Sequence, residues 1–287
     1  MTETREQRVA IVTGASSGIG EAAAMALAQV NFAVVVVARR EDRLQSLCDA
    51  VASDGGTAYA IAADLSDGGQ TSAVVEQTLQ RFGRVDLLVN NAGYGPPYAL
   101  EQMDRAAFRH VFDVNLIAAM QLIAELVPHW RQRGGGRVIN VSSMSAYVSA
   151  PLASSYGATK AGLEAMTDSM RLELKPWSID LCTVIPGFVH TQAFDTAREQ
   201  GQALRDDADN PYRELMISLD EFAQQQLKRE GVSSAQVAKA VVDAALAKRL
   251  KRRYFVPFSA RISVRLVGLL PGPLREKILS RLYHWGD

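Results

Sequence analysis

A tyrosine and a lysine four residues apart are the strongest chemical signal in this sequence. Tyr156 and Lys160 lie at the start of a predicted helix, so they share one helical face about one turn apart. A free phenol has a pKa of about 10. A cation about 5 Å away, at an effective dielectric constant of about 20, would stabilise the phenolate by roughly 3 kcal/mol, or about two pKa units. The pair predicts a proton donor or acceptor near neutral pH, and Ser143 could hydrogen-bond the same substrate oxygen.

A glycine-rich turn near the N-terminus is the second signal. It separates a predicted strand at 9–13 from a predicted helix at 22–30, and a valine-rich strand follows at 33–38. This order of elements within about 30 residues is typical of a nucleotide-binding unit. Glycine lets the backbone approach a pyrophosphate, and the helix N-terminus offers N–H groups, although tight turns also need glycine. The turn contributes Gly14, Ser16, Ser17, Gly18, Ile19 and Gly20.

Two arginines follow the second predicted strand of this unit. Arg39 and Arg40 stand where an acidic residue would accept hydrogen bonds from a ribose 2′-hydroxyl and favour NAD. A guanidinium group instead pairs with a 2′-phosphate, so the position favours NADP over NAD. The alternative is that both arginines belong to the charged, solvated first turn of the next helix.

Strands and helices continue to alternate along the chain. Further strands are predicted at 57–63, 85–89, 137–141 and 179–185, and helices at 71–82, 105–133 and 155–174. Six strands separated by helices predict an α/β fold, a doubly wound parallel sheet (Rossmann fold) with helices on both faces. Such sheets bind ligands beyond the carboxyl ends of their strands. The residues expected at this edge are Gly14, Arg39, Asp64, Asn91, Ser143 and Pro186.

The composition restricts the class of protein. The 287 residues are 48% hydrophobic and 22% charged, as in ordinary globular proteins. Lys+Arg and Asp+Glu both number 31, so the overall charge does not indicate a nucleic-acid partner. The two cysteines, Cys48 and Cys182, give neither a disulfide framework nor a metal-binding spacing and suit a reducing cytoplasm. The polar residues 1–8 lack a signal core, and without an uninterrupted apolar run of about 18 residues we predict no membrane span.

In their order and spacing, the motifs resemble those of the classical short-chain dehydrogenase/reductase family, in an NADP-preferring form. The resemblance covers about residues 9–191 and suggests a seventh strand at Arg253–Val256. Ser143 lies 13 residues before Tyr156, which is the family interval, so it is preferred to Ser142. The motifs are 13–20 (TGASSGIG), 90–93 (NNAG), Asn115, Ser143, 156–160 (YGATK) and Pro186 with Gly187.

The resemblance implies a role for each of these residues. Tyr156 would be the general acid for ketone reduction and the base for alcohol oxidation. Lys160 would hold the nicotinamide ribose and lower the pKa of Tyr156, while Ser143 orients the reacting oxygen. Asn115 would support a water that links Lys160 to solvent. Besides the glycine turn, the implied cofactor-binding residues are Arg39, Arg40, Asp64, Leu65, Asn91, Ala92, Gly93, Tyr156, Lys160, Pro186, Gly187, Val189 and Thr191.

Two segments extend beyond this shared pattern. Residues 188–232 mix apolar and charged residues and predict a helical lid, which suits a bulky, lipophilic substrate. Residues 258–287 predict a basic C-terminal helical extension with two apolar stripes. The extension either contacts a membrane surface or folds back on the protein or a partner subunit. The stripes are Ile262, Leu266, Leu269 and Leu270, and then Leu274, Ile278, Leu279 and Leu282.

These observations predict an NADP-dependent oxidoreductase of one domain, residues 1–287, that interconverts a small-molecule carbonyl (ketone or aldehyde) and an alcohol. A 3-oxoacyl-thioester reductase is an alternative within the same chemistry. An alternative of another class is a non-catalytic regulator that senses NADP, which would need a damaged site, whereas the four catalytic residues are present. We expect a cytoplasmic homodimer or homotetramer, with the extension as its potential contact to a membrane surface.

Overall fold

The computed structural model describes residues 7–283. The outer ends of the predicted domain and of the extension, residues 1–6 and 284–287, lie outside the described residues. Within residues 7–283 the strands are β1 (Arg8–Thr13), β2 (Phe32–Ala38), β3 (Thr57–Ala62), β4 (Leu87–Asn90), β5 (Gly136–Val141), β6 (Ile179–Pro186), β7 (Val189–His190), β8 (Val232–Ser233) and β9 (Arg253–Val256). The helices are α1 (Gly18–Gln29), α2 (Glu41–Ser53), α3 (Gly68–Phe82), α4 (Arg105–Phe112), α5 (Ala118–Arg133), α6 (Ser154–Glu173), α7 (Gln192–Gln200), α8 (Gln202–Asp206), α9 (Arg213–Glu230), α10 (Ser234–Leu246), α11 (Phe258–Leu269) and α12 (Gly272–Leu282).

Seven of the strands form one parallel sheet in the order β3-β2-β1-β4-β5-β6-β9. Its strands are apolar on both faces because helices cover both, and β2 is buried along its whole length. Helices α1, α2 and α10 pack against one face, and α3, α5 and the end of α6 pack against the other. The predicted doubly wound fold is confirmed, including the last strand at Arg253–Val256. The remaining strands, β7 and β8, pair with each other beside the lid.

The helix predicted at 105–133 is interrupted by one π-helical turn at Asp113–Ile117, between α4 and α5. Such turns are rare in proteins, and those that occur are often found at functional sites. This one carries Asn115. By length and composition alone the run Arg105–Arg133 could cross a membrane, because an 18-residue window within it has a mean hydropathy of 1.5. Buried core helices pass the same test. Here Leu122, Leu126 and Trp130 of the run are fully buried against the sheet.

Trp130 fixes the end of α5 to the sheet, and its replacement has a predictable cost. The indole is fully buried, its Nε1 donates to the Val85 carbonyl at 2.9 Å, and Gly136 leaves space for the ring. We expect Trp130→Ala to lower the free energy of unfolding by about 3–5 kcal/mol, measured by denaturant titration. The matched control is Trp177→Ala, because the Trp177 side chain is 37% exposed. Equal losses in the two variants would contradict this account.

Candidate functional site

The glycine turn between β1 and α1 is shaped for the close approach of a ligand. Gly14 has a φ of +65°, and a Cβ there would lie 2.8 Å from the Ala92 Cα atom. A Cβ on Gly20 would lie 2.3 Å from the Gly14 carbonyl oxygen, so this glycine serves the packing of the turn on the helix. Within the described residues, the Ser17 side chain makes no capping hydrogen bond at the N-terminus of α1. The turn and the uncapped N–H groups fit the pyrophosphate of a dinucleotide.

Hydrogen bonds join the carboxyl ends of β1 and β4. The Thr13 hydroxyl accepts from the backbone N–H groups of Asn91 and Ala92, both at 3.0 Å. The Asn91 side-chain amide donates to the Thr13 carbonyl at 2.9 Å. The structure therefore brings the 90–93 motif against the glycine turn. Thr13 was not among the predicted site residues, although a polar residue at the end of an apolar strand was a visible signal.

The two arginines after β2 have different surroundings. The Arg40 guanidinium donates to the Ser16 hydroxyl at 2.9 Å and to the Ser17 hydroxyl at 3.0 Å, so it lies on the glycine turn. Arg39 is exposed and lies close enough to Asp64 to lower the pKa of that carboxyl group, although hydrogen bonds from Ser66 are the larger cause. Within residues 7–283, the Arg39 guanidinium makes no hydrogen bond. It is therefore available to bind an anionic group.

Tyr156, Lys160 and Ser143 meet at one wall of a cavity. Tyr156 and Lys160 are one turn apart on α6, and the Lys160 Nζ atom lies 5.8 Å from the centroid of the phenol ring. Nζ donates to the Val141 carbonyl at 2.8 Å, which fixes the lysine at the end of β5. Ser143 follows the same strand, and its side chain lies close enough to the phenol to lower the pKa of Tyr156. The structure therefore assembles a phenol, an ammonium group and a hydroxyl group where β5 ends.

The direction of the pKa shift at Tyr156 differs from the sequence prediction. Burial raises the pKa of the phenol above its usual value, and Ser143 opposes this only in part. The net shift is therefore opposite to the lowering predicted from Lys160, because desolvation disfavours the phenolate more than Ser143 favours it. Burial also lowers the pKa of Lys160 to about 8, with Glu164 acting in the opposite direction.

Asn115 lies in the π-helical turn and is close to Lys160 of α6. Its side chain is buried, donates to the Tyr94 carbonyl at 2.8 Å and accepts from the Tyr94 N–H at 3.0 Å. A Cβ on Gly93 would lie 3.2 Å from the Asn115 Oδ1 atom and 3.3 Å from the Lys160 Nζ atom. Asn115, Gly93 and Lys160 are therefore neighbours, as their shared motif pattern predicted.

A partly buried charged cluster next to Lys160 was missed by sequence reasoning. The Glu164 carboxylate is 6% exposed, and its Oε2 atom accepts from the Tyr147 hydroxyl at 2.7 Å and from the Arg253 Nε atom at 2.9 Å. Arg253 also reaches Asp168, one turn further along α6, at 2.7 Å. The cluster joins the loop after Ser143, the helix of Lys160 and strand β9. The four-residue spacing of 156, 160, 164 and 168 was its only visible signal.

The Glu164 charge has a testable effect on pH dependence. A neutral glutamine would withdraw the support that Glu164 gives to the Lys160 ammonium, so Lys160 would lose its proton at a lower pH than about 8. If turnover needs the ammonium, the alkaline limb of kcat in Glu164→Gln moves to lower pH by up to about one unit, since Arg253 already offsets part of the charge. The measurement is a pH profile of turnover.

Asp168→Asn is the matched control for this variant. It removes the other carboxylate that contacts Arg253 but leaves Glu164 in place, so its alkaline limb should stay where it is in the unmodified protein. A limb that stays in place in Glu164→Gln, or moves equally in both variants, would rule out the electrostatic effect.

One cavity of about 700 Å³ brings most of the predicted residues together. It extends from the glycine turn past the phenol to the lid and the C-terminal helices. Leu65 and Asn115 instead line a small neighbouring cavity that also touches Lys160. Ser16, Gly20, Arg39, Arg40 and Asp64 lie outside the lining. The predicted residues along the large cavity are Gly14, Ser17, Gly18, Ile19, Asn91, Ala92, Gly93, Ser143, Tyr156, Lys160, Pro186, Gly187, Val189 and Thr191.

The lid and the extension supply the apolar part of this cavity. The rings of Phe188 and Phe222 pack edge to face with their centroids 6.1 Å apart, and the centroids of Phe222 and Tyr283 are 5.4 Å apart. The Ser218 hydroxyl donates to the Tyr283 carbonyl at 2.7 Å, so α12 is held on α9. The predicted stripes are not the only apolar surfaces of the described part of the extension. The face of α11 opposite its predicted stripe lines the cavity. The cavity-lining residues of the extension are Ala260, Ser263, Val264, Val267, Leu279, Leu282 and Tyr283.

Comparison with known proteins identifies the family of this chain. Residues 8–202 match a family model described as short chain dehydrogenase. The chain therefore belongs to the short-chain dehydrogenase family, as its motifs predicted.

Two curated relatives show how far the likeness extends. The ketoacyl reductase HetN of Nostoc sp. is 38% identical over 182 residues, 63% of this chain and 63% of that protein. The chain thus matches less than two thirds of that relative's length. An uncharacterized oxidoreductase of Bacillus subtilis, YusZ, is 28% identical over 285 residues, 96% of this chain and 98% of that protein, so its similarity includes the C-terminal extension.

Two solved structures have the same fold and different cofactors. A short-chain dehydrogenase/reductase from Burkholderia phymatum in complex with NAD is 25% identical, with a TM-score of 0.79 and coverage of 91% of this chain and 92% of that chain. An actinorhodin polyketide ketoreductase with NADPH is 27% identical, with a TM-score of 0.74 and coverage of 88% and 97%. The family fold is therefore found with either dinucleotide.

Proposed function

We propose that this protein is an NADP(H)-dependent oxidoreductase that interconverts a carbonyl and an alcohol group. The observation that carries the proposal is the meeting of Tyr156, Lys160 and Ser143 at one wall of a cavity that also reaches the glycine turn. A nicotinamide dinucleotide bound on that turn would supply or accept the hydride. The residues of this chain then have to bind the substrate, orient its oxygen and transfer a proton.

Proton transfer falls to the Tyr156 phenol. In carbonyl reduction its hydroxyl donates a proton to the substrate oxygen, and in alcohol oxidation its phenolate accepts one. Ser143 orients the same oxygen from the end of β5. Because burial raises the pKa of the phenol, the neutral donor is the resting form, which suits reduction. Lys160 supports the phenolate after the proton has left, and Asn115, which lies close to Lys160 beside Gly93, would support a water that links Lys160 to solvent.

NADP is the proposed cofactor, with NAD the less favoured one. An NADP 2′-phosphate carries a negative charge that Arg39 is free to pair with, and Arg40 adds a second positive charge beside Ser16. The proposed binding residues are the glycine turn, both arginines, Asp64, Leu65, 91–93 and the segment 186–191. An acidic side chain after β2, which would favour NAD, is replaced here by arginine.

A bulky, lipophilic substrate is proposed because of the cavity's walls. Phe188, Leu219 and Phe222 come from the lid, and Val264 and Leu279 come from the extension. Apolar walls of this extent favour binding by burial of apolar surface. A 3-oxoacyl thioester is the second candidate, because the relative HetN is named a ketoacyl reductase. Both candidates are carbonyl compounds reduced by the same residues.

We also propose a single domain over residues 1–287 and a cytoplasmic homodimer or homotetramer with peripheral membrane contact through its basic extension. The single domain is supported by the shared cavity, to which the sheet edge, the lid and the extension all contribute. Light scattering of the purified protein measures the oligomeric state, and a monomer would contradict that part of the proposal.

A substrate panel tests the proposed activity. NADPH and NADH are each mixed with the protein and with steroid-like, retinoid-like, polyketide-like and 3-oxoacyl-thioester carbonyls, and the absorbance of the reduced nicotinamide is followed. We expect turnover with at least one lipophilic carbonyl and faster turnover with NADPH. Unchanged absorbance with every substrate, despite measured NADPH binding, would instead support the non-catalytic NADP sensor.

A further inference from the structure

The outer face of the C-terminal extension exposes a concentrated apolar surface. The large hydrophobic side chains of the described residues that are exposed number twelve, and seven of them lie between 258 and 282. Their exposed fractions run from 43% to 81%. Scattered exposed leucines need no explanation, but a contiguous patch marks a contact surface. The exposed side chains form one stripe on α11 and one on α12, and we call the two stripes together the tail face. They are Phe258, Ile262, Leu266 and Leu269, and then Leu274, Ile278 and Leu282.

The tail face is not left exposed by poor packing of its helices. The opposite face of α11 is anchored, since Ala260 and Val264 are buried. Helix α12 is held through Tyr283, which is 6% exposed, packs against Phe222 and accepts the Ser218 hydrogen bond. The buried residues of α11 and Tyr283 at the end of α12 therefore fix the position of the two helices, and the apolar outer faces remain for another partner.

Positive charge borders the tail face on both helices. At 3.6 residues per turn, Arg261 and Arg265 fall on one edge of the α11 stripe, and Lys277 and Arg281 fall on one edge of the α12 stripe. Residues 258–283 contain five Lys or Arg and one acidic residue, Glu276. An apolar stripe edged by basic residues is the pattern of helices that lie in the interfacial region of an anionic bilayer. A second copy of this face would bring like charges together.

The tail face also adjoins the cavity. Leu282 is 43% exposed at the tail face and lines the cavity as well. Val264 and Val267 line the cavity from the inner side of the helix whose outer side carries Ile262 and Leu266. Thus the two short helices that carry the tail face also line the proposed lipophilic-substrate site, mostly with apolar side chains.

We propose that the tail face docks on an anionic lipid bilayer and that lipophilic substrate passes from the lipid into the cavity at the edge of α12. Docking places the seven apolar side chains at the boundary of headgroups and acyl chains, with the arginines and lysines among the phosphates. The passage of substrate rests on the proposed oxidoreductase activity, whereas the docking, which specifies the proposed membrane contact of the extension, does not.

Vesicle co-sedimentation of the full chain tests the docking. We expect the protein to sediment with phosphatidylcholine vesicles that contain phosphatidylserine, about tenfold more than with phosphatidylcholine alone, and to be released as salt is raised. The variant Leu266→Ser with Leu269→Ser should reduce the bound fraction at least about fivefold, because these side chains are 60% and 81% exposed. Leu172→Ser is the matched control, since Leu172 is 68% exposed on α6, and it should bind as the unmodified protein does.

Three results would overturn the docking. They are an absence of binding to phosphatidylserine vesicles, equal binding by the double variant, and a loss of dimer or tetramer in the double variant without any change in vesicle binding. The last result would assign the tail face to a second copy of the chain. Circular dichroism and the denaturation midpoint check that the variants fold, which is expected because the replaced side chains are exposed.

Turnover measurements separate the docking from the proposed function. The double variant should keep its kcat on a short, water-soluble carbonyl. Its turnover of a carbonyl dissolved in the vesicles should fall by about the same factor as its vesicle-bound fraction. Equal turnover of the vesicle-dissolved carbonyl by both proteins would overturn the lipid route. Vesicle binding without turnover of any carbonyl would instead overturn the proposed function and leave the docking in place.

Discussion

Tyr156→Phe should lower kcat for carbonyl reduction by about 10³-fold while leaving dinucleotide binding nearly unchanged. The phenylalanine ring keeps the shape of the cavity wall beside Lys160 but lacks the proton that the substrate oxygen would receive. General acid catalysis of this kind contributes about 10²–10⁴-fold. The measurements are steady-state turnover with the best carbonyl of the panel and equilibrium binding of NADPH by fluorescence.

Tyr94→Phe is the matched control for the phenol. Tyr94 lines the same cavity, but it contacts Asn115 through its backbone, which phenylalanine preserves. It should keep kcat within about threefold, which corresponds to less than about 1 kcal/mol. If Tyr156→Phe retained more than about a tenth of the activity, or if both variants lost it equally, the assignment of the proton to Tyr156 would fail.

Arg39→Asp should weaken NADPH binding at least about a hundredfold and leave NADH binding within about threefold. The variant replaces a charge-assisted hydrogen bond to the 2′-phosphate with a repulsion, and a loss of about 3 kcal/mol corresponds to roughly a hundredfold. NADH lacks that phosphate, and an aspartate in this position could accept from its 2′-hydroxyl. Titration of both cofactors into the protein measures the ratio.

Arg43→Asp and Arg40→Asp complete this experiment. Arg43 is exposed in the first turn of α2 and controls for the general loss of positive charge, so we expect little change in the ratio. Arg40 donates to Ser16 and Ser17, so its loss should weaken both cofactors through the turn and NADPH somewhat more. Equal weakening of NADPH and NADH by Arg39→Asp would contradict the assignment of the phosphate to Arg39.

The fold and most positions in the candidate site follow from local patterns. The valine-rich β2, the glycine turn and the alternation of strands and helices each depend on neighbours within about 30 residues, which a sequence displays directly. Parallel strands place their carboxyl ends at one edge, so the meeting of Gly14, Asn91 and Ser143 around one cavity follows once the strands are known. The four-residue spacing likewise places Tyr156 and Lys160 on one helical face.

Burial and long-range contacts were decided only by the tertiary structure. The sequence predicted a lowered pKa for Tyr156 from its cationic neighbour, but the desolvation that raises the pKa depends on the packing of the whole cavity. Glu164 and Arg253 are 89 residues apart, and their ion pair forms because β9 joins the sheet beside β6. No periodicity in either segment reports that pairing.

The C-terminal extension shows most clearly what the sequence determined and what only the tertiary structure decided. Its sequence shows two apolar stripes edged by arginine and lysine, and that pattern determined two amphipathic helices. The structure decided that α11 packs its small residues Ala260 and Val264 inward, while the larger Ile262 and Leu266 face outward. The physical reason is that a hydrophobic residue is buried only where a partner surface exists. Here α11 contacts β9, and Ser218 and Phe222 of lid helix α9 contact Tyr283 at the end of α12.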